Sequence, residues 1–304
     1  MGPPRMNAPE ISVVMATANA AKTVEACLKS LEDQTFFLNT EVIVADCSTD
    51  GTDDLMRKEF PRVKLLHFDR PMGLPQLLRE ALQHAQGHVV VVTEPHCRFA
   101  SDWLEKLHRA HQSEFDVIGG AVENGRPNGL VNWACYFADY GPFMLPSRRK
   151  LSSLLPGNHV SYKRSAIEKE LNSIEDGFWK IFFHWDLEQQ GVRFLFDPEL
   201  VVYYVRPGSL ASFLRGYYLH GWFFAAMRSK RISSAERSLH LVTTPALPLV
   251  LFYRRLRAAL ANPRHRAKVL LSIPLLAVMV IVWSAGELTG YLLGPGGMPK
   301  EVYR

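Results

Sequence analysis

Polar side chains that could bind a ligand follow several short apolar runs of this chain. Each run is rich in β-branched residues and leads directly into hydroxyl, amide, carboxylate or imidazole groups: Thr17 and Asn19, then Asp46 and Ser48, then Glu94 and His96. Short runs of this composition are typical of buried parallel strands. Ligands of open parallel sheets bind beyond the carboxyl ends of the strands. The spacing therefore predicts one ligand site that gathers these residues.

The elements that would position these residues alternate in type over the first 125 residues. Strand-like runs such as Ile11–Ala16 and Glu41–Asp46 are separated by segments whose apolar residues recur at helical spacing, for example Val24, Cys27, Leu28 and Leu31. Alternating strands and helices imply right-handed crossovers. The sequence therefore predicts an α/β fold with a mostly parallel, mixed sheet flanked by helices. Residues 119–204 are irregular and aromatic, which is typical of functional loops.

Composition restricts the class of protein. The chain has 304 residues, 47% of them hydrophobic, and its net charge of +5 comes from 35 basic and 30 acidic residues. This mild balance does not predict nucleic acid as a partner. The four cysteines lie far apart without C-x-x-C spacing, so they are expected to be reduced thiols rather than a disulfide framework or a zinc site. The N-terminus lacks an apolar run, and no secretory signal is predicted.

The C-terminal region differs in kind from the rest. Val269–Gly286 carries no charge and, as a helix, would reach roughly 27 Å, close to the ~30 Å hydrocarbon core of a bilayer. Basic residues flank the shorter apolar run Leu239–Tyr253 on both sides, and basic flanks favour the cytoplasmic face. We predict a transmembrane helix at 269–293 and a re-entrant or interfacial segment at 239–253; a buried core helix is the alternative. The predicted domains are a cytosolic one at 1–227 and a membrane-associated region at 228–304.

Two motifs at the start of the chain resemble those of family-2 glycosyltransferases with a GT-A-type fold. The first strand ends in Ala16-Thr17-Ala18-Asn19, similar to the family's P-T-x-N turn, and the second ends in Asp46 before Ser-Thr-Asp-Gly-Thr. Later stretches, among them "LPGNHVSYKR" and "FWKIFFHWDLEQQGVRFLFDPELVVYY", resemble a bacterial membrane-associated branch. The resemblance implies a nucleotide-sugar donor, an inverting displacement by an acceptor hydroxyl, and the bacterial inner membrane with the catalytic domain facing the cytoplasm.

The resemblance also assigns roles to residues. Together with the residue types, it predicts that the nucleotide is bound by six side chains, of which Arg79 is chosen as a cation for the diphosphate: Thr17, Asn19, Asp46, Ser48, Arg79 and Glu94. Three functional positions depart from the branch. Pro95 replaces the second acid of the metal motif, Lys180 stands where an acid follows Phe-Trp, and Tyr204 aligns with a late histidine.

These departures affect the metal and the catalytic base. Glu94 and His96 would form a poor site for a divalent cation, because Mg²⁺ and Mn²⁺ favour oxygen ligands. Lys180 could be a base only with a strongly lowered pKa, but with Arg79 it could neutralise a diphosphate directly. The other candidate catalytic residues are carboxylates: Asp139 and Asp186, with Glu175 and Asp176 near the lost acid. The alternative interpretation is that these carboxylates are ordinary surface or helix-capping residues, and that His96 and His159 are polar loop residues whose hydrogen bonds are satisfied.

Two functions from different classes follow. The first is a membrane-associated glycosyltransferase that moves a sugar to a lipid-linked or cell-surface polysaccharide acceptor. The second is a catalytically degenerate scaffold that binds a nucleotide or sugar and assists a partner enzyme. A membrane-anchored nucleotidyltransferase is disfavoured because the first turn lacks a Gly-rich pyrophosphate loop.

Overall fold

The computed structural model describes residues 8–172 and 177–294, which form two compact units. The first unit takes the chain up to Gly125 together with Ser147–Arg206, and the second takes Arg126–Pro146 and the chain from Pro207. Glu175 and Asp176 lie outside the described residues. The two units are described separately.

The first unit is an α/β structure built on one nine-stranded sheet. Its strands, in chain order, are β1 (Ile11–Thr17), β2 (Thr40–Asp46), β3 (Lys64–His67), β4 (Val89–Thr93), β5 (Cys97–Phe99), β6 (Val117–Asn124), β7 (Lys150–Leu151), β8 (His159–Lys163) and β9 (Phe194–Tyr204). Its helices are α1 (Val24–Glu32), α2 (Thr52–Glu59), α3 (Leu74–Gln83), α4 (Trp103–Ala110), α6 (Arg164–Asn172) and α7 (Lys180–Gln189).

The strand order is β3-β2-β1-β4-β8-β6-β9-β5, with β7 paired to β9. Strands β1 to β4 are parallel, whereas β8 runs antiparallel to β4 and β6. The predicted mixed α/β fold is confirmed, and its antiparallel pairs come from the irregular part of the sequence. The chain reverses direction across the sheet between β1 and β4, which is where parallel sheets bind ligands.

Burial of apolar faces explains these elements. All seven residues of β1 are buried, as expected for a strand covered on both faces. Helix α1 buries Val24, Cys27, Leu28 and Leu31, the face that the helical spacing predicts. Full burial of one such leucine contributes about 2 kcal/mol relative to exposure.

A backbone contact anchors the segment before α7. The amide of Phe178 donates to the carbonyl of Pro75 at 2.7 Å, beside the first turn of α3. Gly177 has a φ of 103°, and a Cβ there would lie 2.8 Å from the carbonyl carbon of Pro75. Only glycine fits this left-handed, crowded position, so the start of α7 is tied to the start of α3.

The second unit is helical in the part of the chain that the structure describes. It contains α5 (Leu130–Tyr140), α8 (Leu210–Arg228), α9 (Ser234–Thr243), α10 (Leu247–Ala261) and α11 (Arg266–Leu293). It therefore includes α5 and α8, which the sequence analysis placed in the first domain. One stretch among the described residues, Pro263–Leu293, is long and apolar enough to cross a membrane.

Helices α8 and α11 approach each other through glycines. A Cβ at Gly286 would lie 2.0 Å from the carbonyl oxygen of Tyr218, and one at Gly221 would lie 2.2 Å from that of Trp283. Real side chains do not reach such distances, so the two backbones touch only because these residues are glycines. Small-xxx-small spacing, here Gly286 and Gly290, is common where helices pack closely in membranes.

Candidate active site

The carboxylate of Asp46 lies at the end of β2 and is completely buried. Its Oδ1 accepts hydrogen bonds from Thr17 Oγ1 at 2.6 Å and Ser48 Oγ at 2.5 Å. Its Oδ2 accepts from the Ser48 amide at 3.1 Å and from His67 Nδ1 at 2.7 Å. Four donors fill the lone-pair positions of one carboxylate. The side chain thus joins the ends of three neighbouring strands, with Thr17 opposite Asp46 and Asp46 opposite His67 in register.

Asn19 holds the two loops that follow β1 and β2 together. Its backbone has a φ of 58°, which asparagine tolerates better than most residues. Its backbone amide donates to Ser48 Oγ at 2.8 Å, and its side-chain Oδ1 accepts from the Thr49 backbone amide at 2.9 Å. The structure therefore brings together Thr17, Asn19, Asp46 and Ser48, as the sequence predicted. What they bind stays a prediction.

Glu94 follows β4 at the same edge of the sheet, and cationic groups surround it. Its Oε2 lies 2.7 Å from His96 Nε2, and 37% of its side chain is exposed. Desolvation alone would raise the pKa of Glu94, but His96, Arg206 and Lys180 outweigh it and lower the pKa to about 2. The backbone places Arg206 there, because the Val205 amide donates to the His96 carbonyl at 2.8 Å. Two cationic side chains, Lys180 and Arg206, thus lie close enough to Glu94 to act on its carboxylate, and this arrangement favours an anionic ligand.

Lys180 is the first residue of α7 and is only partly exposed. Burial lowers its pKa to about 8, although Glu94 acts in the opposite direction. The positive end of a helix dipole also disfavours a cation at this position. Its Nζ lies 3.4 Å from the Cβ position of Gly157, so the chain keeps a small residue beneath the amine. His159 lies further in, and burial lowers its pKa to about 3.

The register of the strands sets the separation of the Asp46 and Glu94 groups. Thr17 pairs with Asp46 on one side of β1, and Met15 pairs with Thr93 on the other. Strands in a sheet lie about 4.8 Å apart, so the ends of β2 and β4 are separated by roughly 10 Å. One edge therefore presents a hydrogen-bonded polar end around Asp46 and a cationic end around Glu94.

Three predicted residues lie away from these groups. Arg79 lines a separate small cavity on α3 with Arg164 and Glu168. Asp186 lies six residues along α7 from Lys180, about 9 Å along the helix axis and on another face. Asp139 belongs to the second unit, where its Oδ1 accepts from the Tyr217 hydroxyl at 2.7 Å and lies 3.8 Å from Arg255 Nη1.

Two residues of the site were missed in the sequence. His67 ends a strand of only four residues, which is too short for the sequence pattern to locate its end. Arg206 follows the last strand by two positions and has no motif around it. The parallel register could have identified His67, because the strand next to β2 must end beside Asp46.

Two sets of side chains among the described residues are candidate ligands for a divalent cation, and hydrogen bonds within each set compete with it. Glu94 and His96 bond each other, and among the described residues no third acidic, histidine or cysteine side chain joins them in a cluster. Ligand atoms of Asp46, Asp53 and His67 do lie within 4.8 Å of one another. However, the oxygens of Asp46 already accept four hydrogen bonds, and the His67 nitrogen that faces Asp46 must carry a proton to donate. A metal would have to displace these bonds.

The sequence model of Glycosyl transferase family 2 matches residues 12–171 of the chain, which is more than half of it and includes β1 to β8. This chain belongs to that glycosyltransferase family. The expected family is thereby confirmed, together with its α/β fold.

Individual relatives of this family-2 chain are distant. EpsH of Bacillus subtilis strain 168, named as a glycosyltransferase, is 24% identical over 208 residues, which cover 59% of this chain and 57% of EpsH. TuaG of the same organism, named for teichuronic acid biosynthesis, is 32% identical over 127 residues, covering 39% and 50%. The chain thus spans about half the length of these curated relatives.

Solved structures support the fold over a longer stretch. The mannosyltransferase PcManGT from Pyrobaculum calidifontis, in complex with GDP-Man and Mn²⁺, superposes with a TM-score of 0.59 at 20% identity. The match covers 93% of this chain and 88% of PcManGT.

Proposed function

We propose that this chain is a membrane-associated glycosyltransferase that moves a sugar from a nucleotide-sugar donor to a lipid-linked or cell-surface polysaccharide acceptor, with inversion at the anomeric carbon. The observation that carries the proposal is the pairing of two groups at one edge of the sheet. A hydrogen-bonded polar network surrounds Asp46, and a cationic cluster surrounds Glu94. A nucleotide-sugar is uncharged at its nucleoside and anionic at its diphosphate, so the two ends of the site match the two ends of the ligand.

The chemistry requires a proton acceptor and a stabilised leaving group. The acceptor hydroxyl loses its proton as its oxygen forms a bond to the anomeric carbon, and the bond from that carbon to the diphosphate oxygen breaks. The electron pair stays on the diphosphate, where fixed positive charge lowers the barrier. Lys180 suits this second role: with a pKa of about 8, roughly nine-tenths of the amine is charged at pH 7. Asp186, the carboxylate predicted as base, lies on another face of α7 from Lys180, and the base role is not assigned to it.

We further propose that Lys180 and Arg206, rather than a metal bridged to Glu94, neutralise the diphosphate. The support is that both cations act on the Glu94 carboxylate, which already contacts His96 at 2.7 Å. PcManGT binds its donor with Mn²⁺, so the proposal makes this chain differ from that neighbour. Arg79, which lines another cavity, is not assigned to the diphosphate.

The second unit supports the membrane association. Less than half of the most apolar part of Pro263–Leu293 is buried within the structure. Large apolar side chains on α9, α10 and α11 are exposed: Leu239, Val242, Leu249, Val250, Tyr253, Leu270, Leu271, Val278, Ile281, Leu292 and Leu293. An exposed apolar surface of this extent marks a contact with lipid or protein. Basic residues flank it, as at the cytoplasmic face of a bacterial inner membrane.

The test is donor turnover by the purified full chain in detergent. A panel of UDP-, GDP-, dTDP- and ADP-activated sugars is incubated with the protein, with added Mn²⁺ or with EDTA, and release of the nucleotide is measured. We expect hydrolysis of at least one donor that persists in EDTA. Complete loss of activity in EDTA would contradict the direct role of Lys180 and Arg206.

A second candidate function is the catalytically degenerate scaffold. The observation that favours it is that Lys180 occupies the start of α7, where the related branch has an acid. Donor binding with no hydrolysis, and no transfer to extracted membrane lipids, would support this scaffold and exclude the enzyme.

A further inference from the structure

A small cavity lies between α3 and α6 of the first unit, and its volume is about 100 Å³. Both helices line it with side chains from one face: Arg79, Leu82 and Gln83 of α3, and Arg164, Glu168 and Leu171 of α6. Residues three, four or seven positions apart share a face of a helix, so each helix presents one arginine and one leucine to the same space.

The topology places this cavity at the opposite edge of the sheet from the proposed donor site. Val90 lines the cavity and is the second residue of β4, whereas Glu94 follows the last. Four strand residues separate the two by roughly 13 Å. Because β8 runs antiparallel to β4, it returns Arg164 to the start of β4, where the Arg164 backbone amide donates to the His88 carbonyl at 2.9 Å. The cavity is therefore separate from the groups around Glu94.

Two guanidinium groups line this cavity together with one loosely paired carboxylate. Nε of Arg79 is buried and has no hydrogen-bond partner among the residues that the structure describes. Nη1 of Arg164 donates to the Ala85 carbonyl, which fixes that guanidinium beside the cavity. Nε of Arg164 lies 3.8 Å from Glu168 Oε1, which is beyond a hydrogen bond, and 61% of the Glu168 side chain is exposed. Because arginine keeps its charge at any physiological pH, the cavity offers charged donors that lack an acceptor.

We propose that this cavity binds the phosphate group of a small ligand, either inorganic phosphate or a phosphate monoester, through Arg79 and Arg164. Guanidinium N–H groups match phosphate oxygens in charge and in geometry. The volume is several times what one water molecule needs, yet it is below the ~300 Å³ of a pocket for a drug-sized ligand. It can therefore enclose a phosphate group but not a nucleoside. This site goes beyond the proposed sugar transfer, which uses neither arginine.

The Glu168 carboxylate is the competing partner of the two arginines. An exposed ion pair at its distance from Arg164 contributes little to stability. A phosphate monoester carries roughly −1.5 to −2 charges at pH 7 and three acceptor oxygens. A phosphate group therefore satisfies both guanidinium groups better than Glu168 does, and it would join α3 to α6.

The test compares phosphate binding by the full chain and by three single variants. Orthophosphate, and separately glycerol phosphate, is titrated in a phosphate-free detergent buffer at pH 7 and constant ionic strength, and line broadening in phosphorus NMR gives the dissociation constant. Arg79→Gln should weaken binding about 10- to 100-fold, the cost of a lost charge-assisted hydrogen bond. Glu168→Gln should tighten it about 2- to 5-fold, because it removes the competing carboxylate at nearly constant volume. Arg109→Gln, which changes an exposed arginine of α4, is the matched control and should have no effect.

The two ligands distinguish the two sources of the phosphate group. Equal affinities would support a site for the phosphate group alone, and tighter binding of glycerol phosphate would support a site for a monoester. In both cases Arg79→Gln must weaken the binding.

Lys180→Met separates this cavity from the proposed donor site. The variant removes a cation at the other edge of the sheet, so orthophosphate affinity should change less than about 2-fold. If R79Q does not fold, tighter binding in E168Q together with unchanged binding in K180M carries the same conclusion. Phosphate binding that is retained in R79Q and lost in K180M would place the ion at the donor site and overturn the proposal. Absence of phosphate binding by the wild type would also overturn it, and neither result would affect the proposed sugar transfer.

Discussion

Replacing Lys180 with methionine should stabilise the protein at pH 7 while it weakens phosphate binding. The amine has a pKa of about 8 in the folded chain against 10.5 for an ordinary lysine, because burial disfavours its charged form. Below pH 8 both the folded and the unfolded chain carry the proton, and the full cost of the buried charge applies. That cost declines as the pH rises from 8 to 10.5, where both states become neutral.

The size of the effect follows from the shift. A difference of 2.5 pKa units corresponds to about 3 kcal/mol at 1.36 kcal/mol per unit. Methionine fills nearly the same volume without the charge. Part of the gain is offset because Glu94 loses one of its cations, so we expect the free energy of unfolding at pH 7 to rise by about 1–3 kcal/mol. At pH 10.5 the gain should vanish. Loss of a charge-assisted contact should weaken pyrophosphate binding about 10- to 100-fold.

Urea unfolding of the full chain in detergent at pH 7 and pH 10.5 measures the first effect, and calorimetry with pyrophosphate measures the second. Lys169→Met, which removes an exposed lysine of α6, is the matched control and should change neither quantity. A variant that is less stable at pH 7 and binds pyrophosphate as the wild type does would refute the reasoning. Lys180 would then be a structural residue with a solvated amine.

Three other predictions test separate features. Pyrophosphate affinity of the wild type should fall as the pH rises through about 8, where the Lys180 amine loses its charge, whereas Lys180→Arg should bind equally at pH 7 and 9; parallel pH curves would contradict this. Gly286→Ala should lower the free energy of unfolding by about 1–3 kcal/mol despite the higher helix propensity of alanine, because its Cβ would meet the Tyr218 carbonyl. Thermal unfolding in detergent is the measurement, and Val278→Ala, at a side chain that is 41% exposed, is the control. Burial lowers the pKa of His111 to about 3, so its contribution to stability is complete above pH 6.5 and is lost as the pH falls towards 3, at up to about 1.4 kcal/mol per pH unit. His111→Gln should therefore flatten the dependence of the urea midpoint on pH between 6.5 and 5. An unchanged slope would contradict the assignment.

Local patterns predicted the first half of the site well. Strands β1 and β2 are buried on both faces, so their apolar runs end where the strands end, and the polar residues behind them mark the ligand edge. The register then brings Thr17 beside Asp46 without any further information. Short-range capping and turn chemistry likewise accounts for Asn19 and Ser48.

Long-range pairing limited the rest of the prediction. His67 was missed because a strand of four residues gives too little periodicity to locate its end. Arg206 reaches Glu94 only because β5 pairs antiparallel with β9, a contact between residues about a hundred positions apart. The contacts of Asp139 are with Tyr217 and Arg255, which are distant in sequence. All three residues lie in a helical unit that takes residues from both sides of the predicted domain boundary.

The bond from the Phe178 amide to the Pro75 carbonyl joins parts of the site that are distant in sequence. Together with the chain from His67 to Pro75 and from Phe178 to Lys180, it closes a short backbone circuit between the polar end and the cationic end. The length of the loop between β3 and α3 therefore sets where Lys180 stands. An insertion or deletion in that loop would shift the amine relative to the imidazole even though it changes neither residue. The loop between β3 and α3 carries none of the binding groups, yet its length sets the distance between the polar end and the cationic end of the site. We therefore expect the length of this loop to determine how long a donor the chain accommodates.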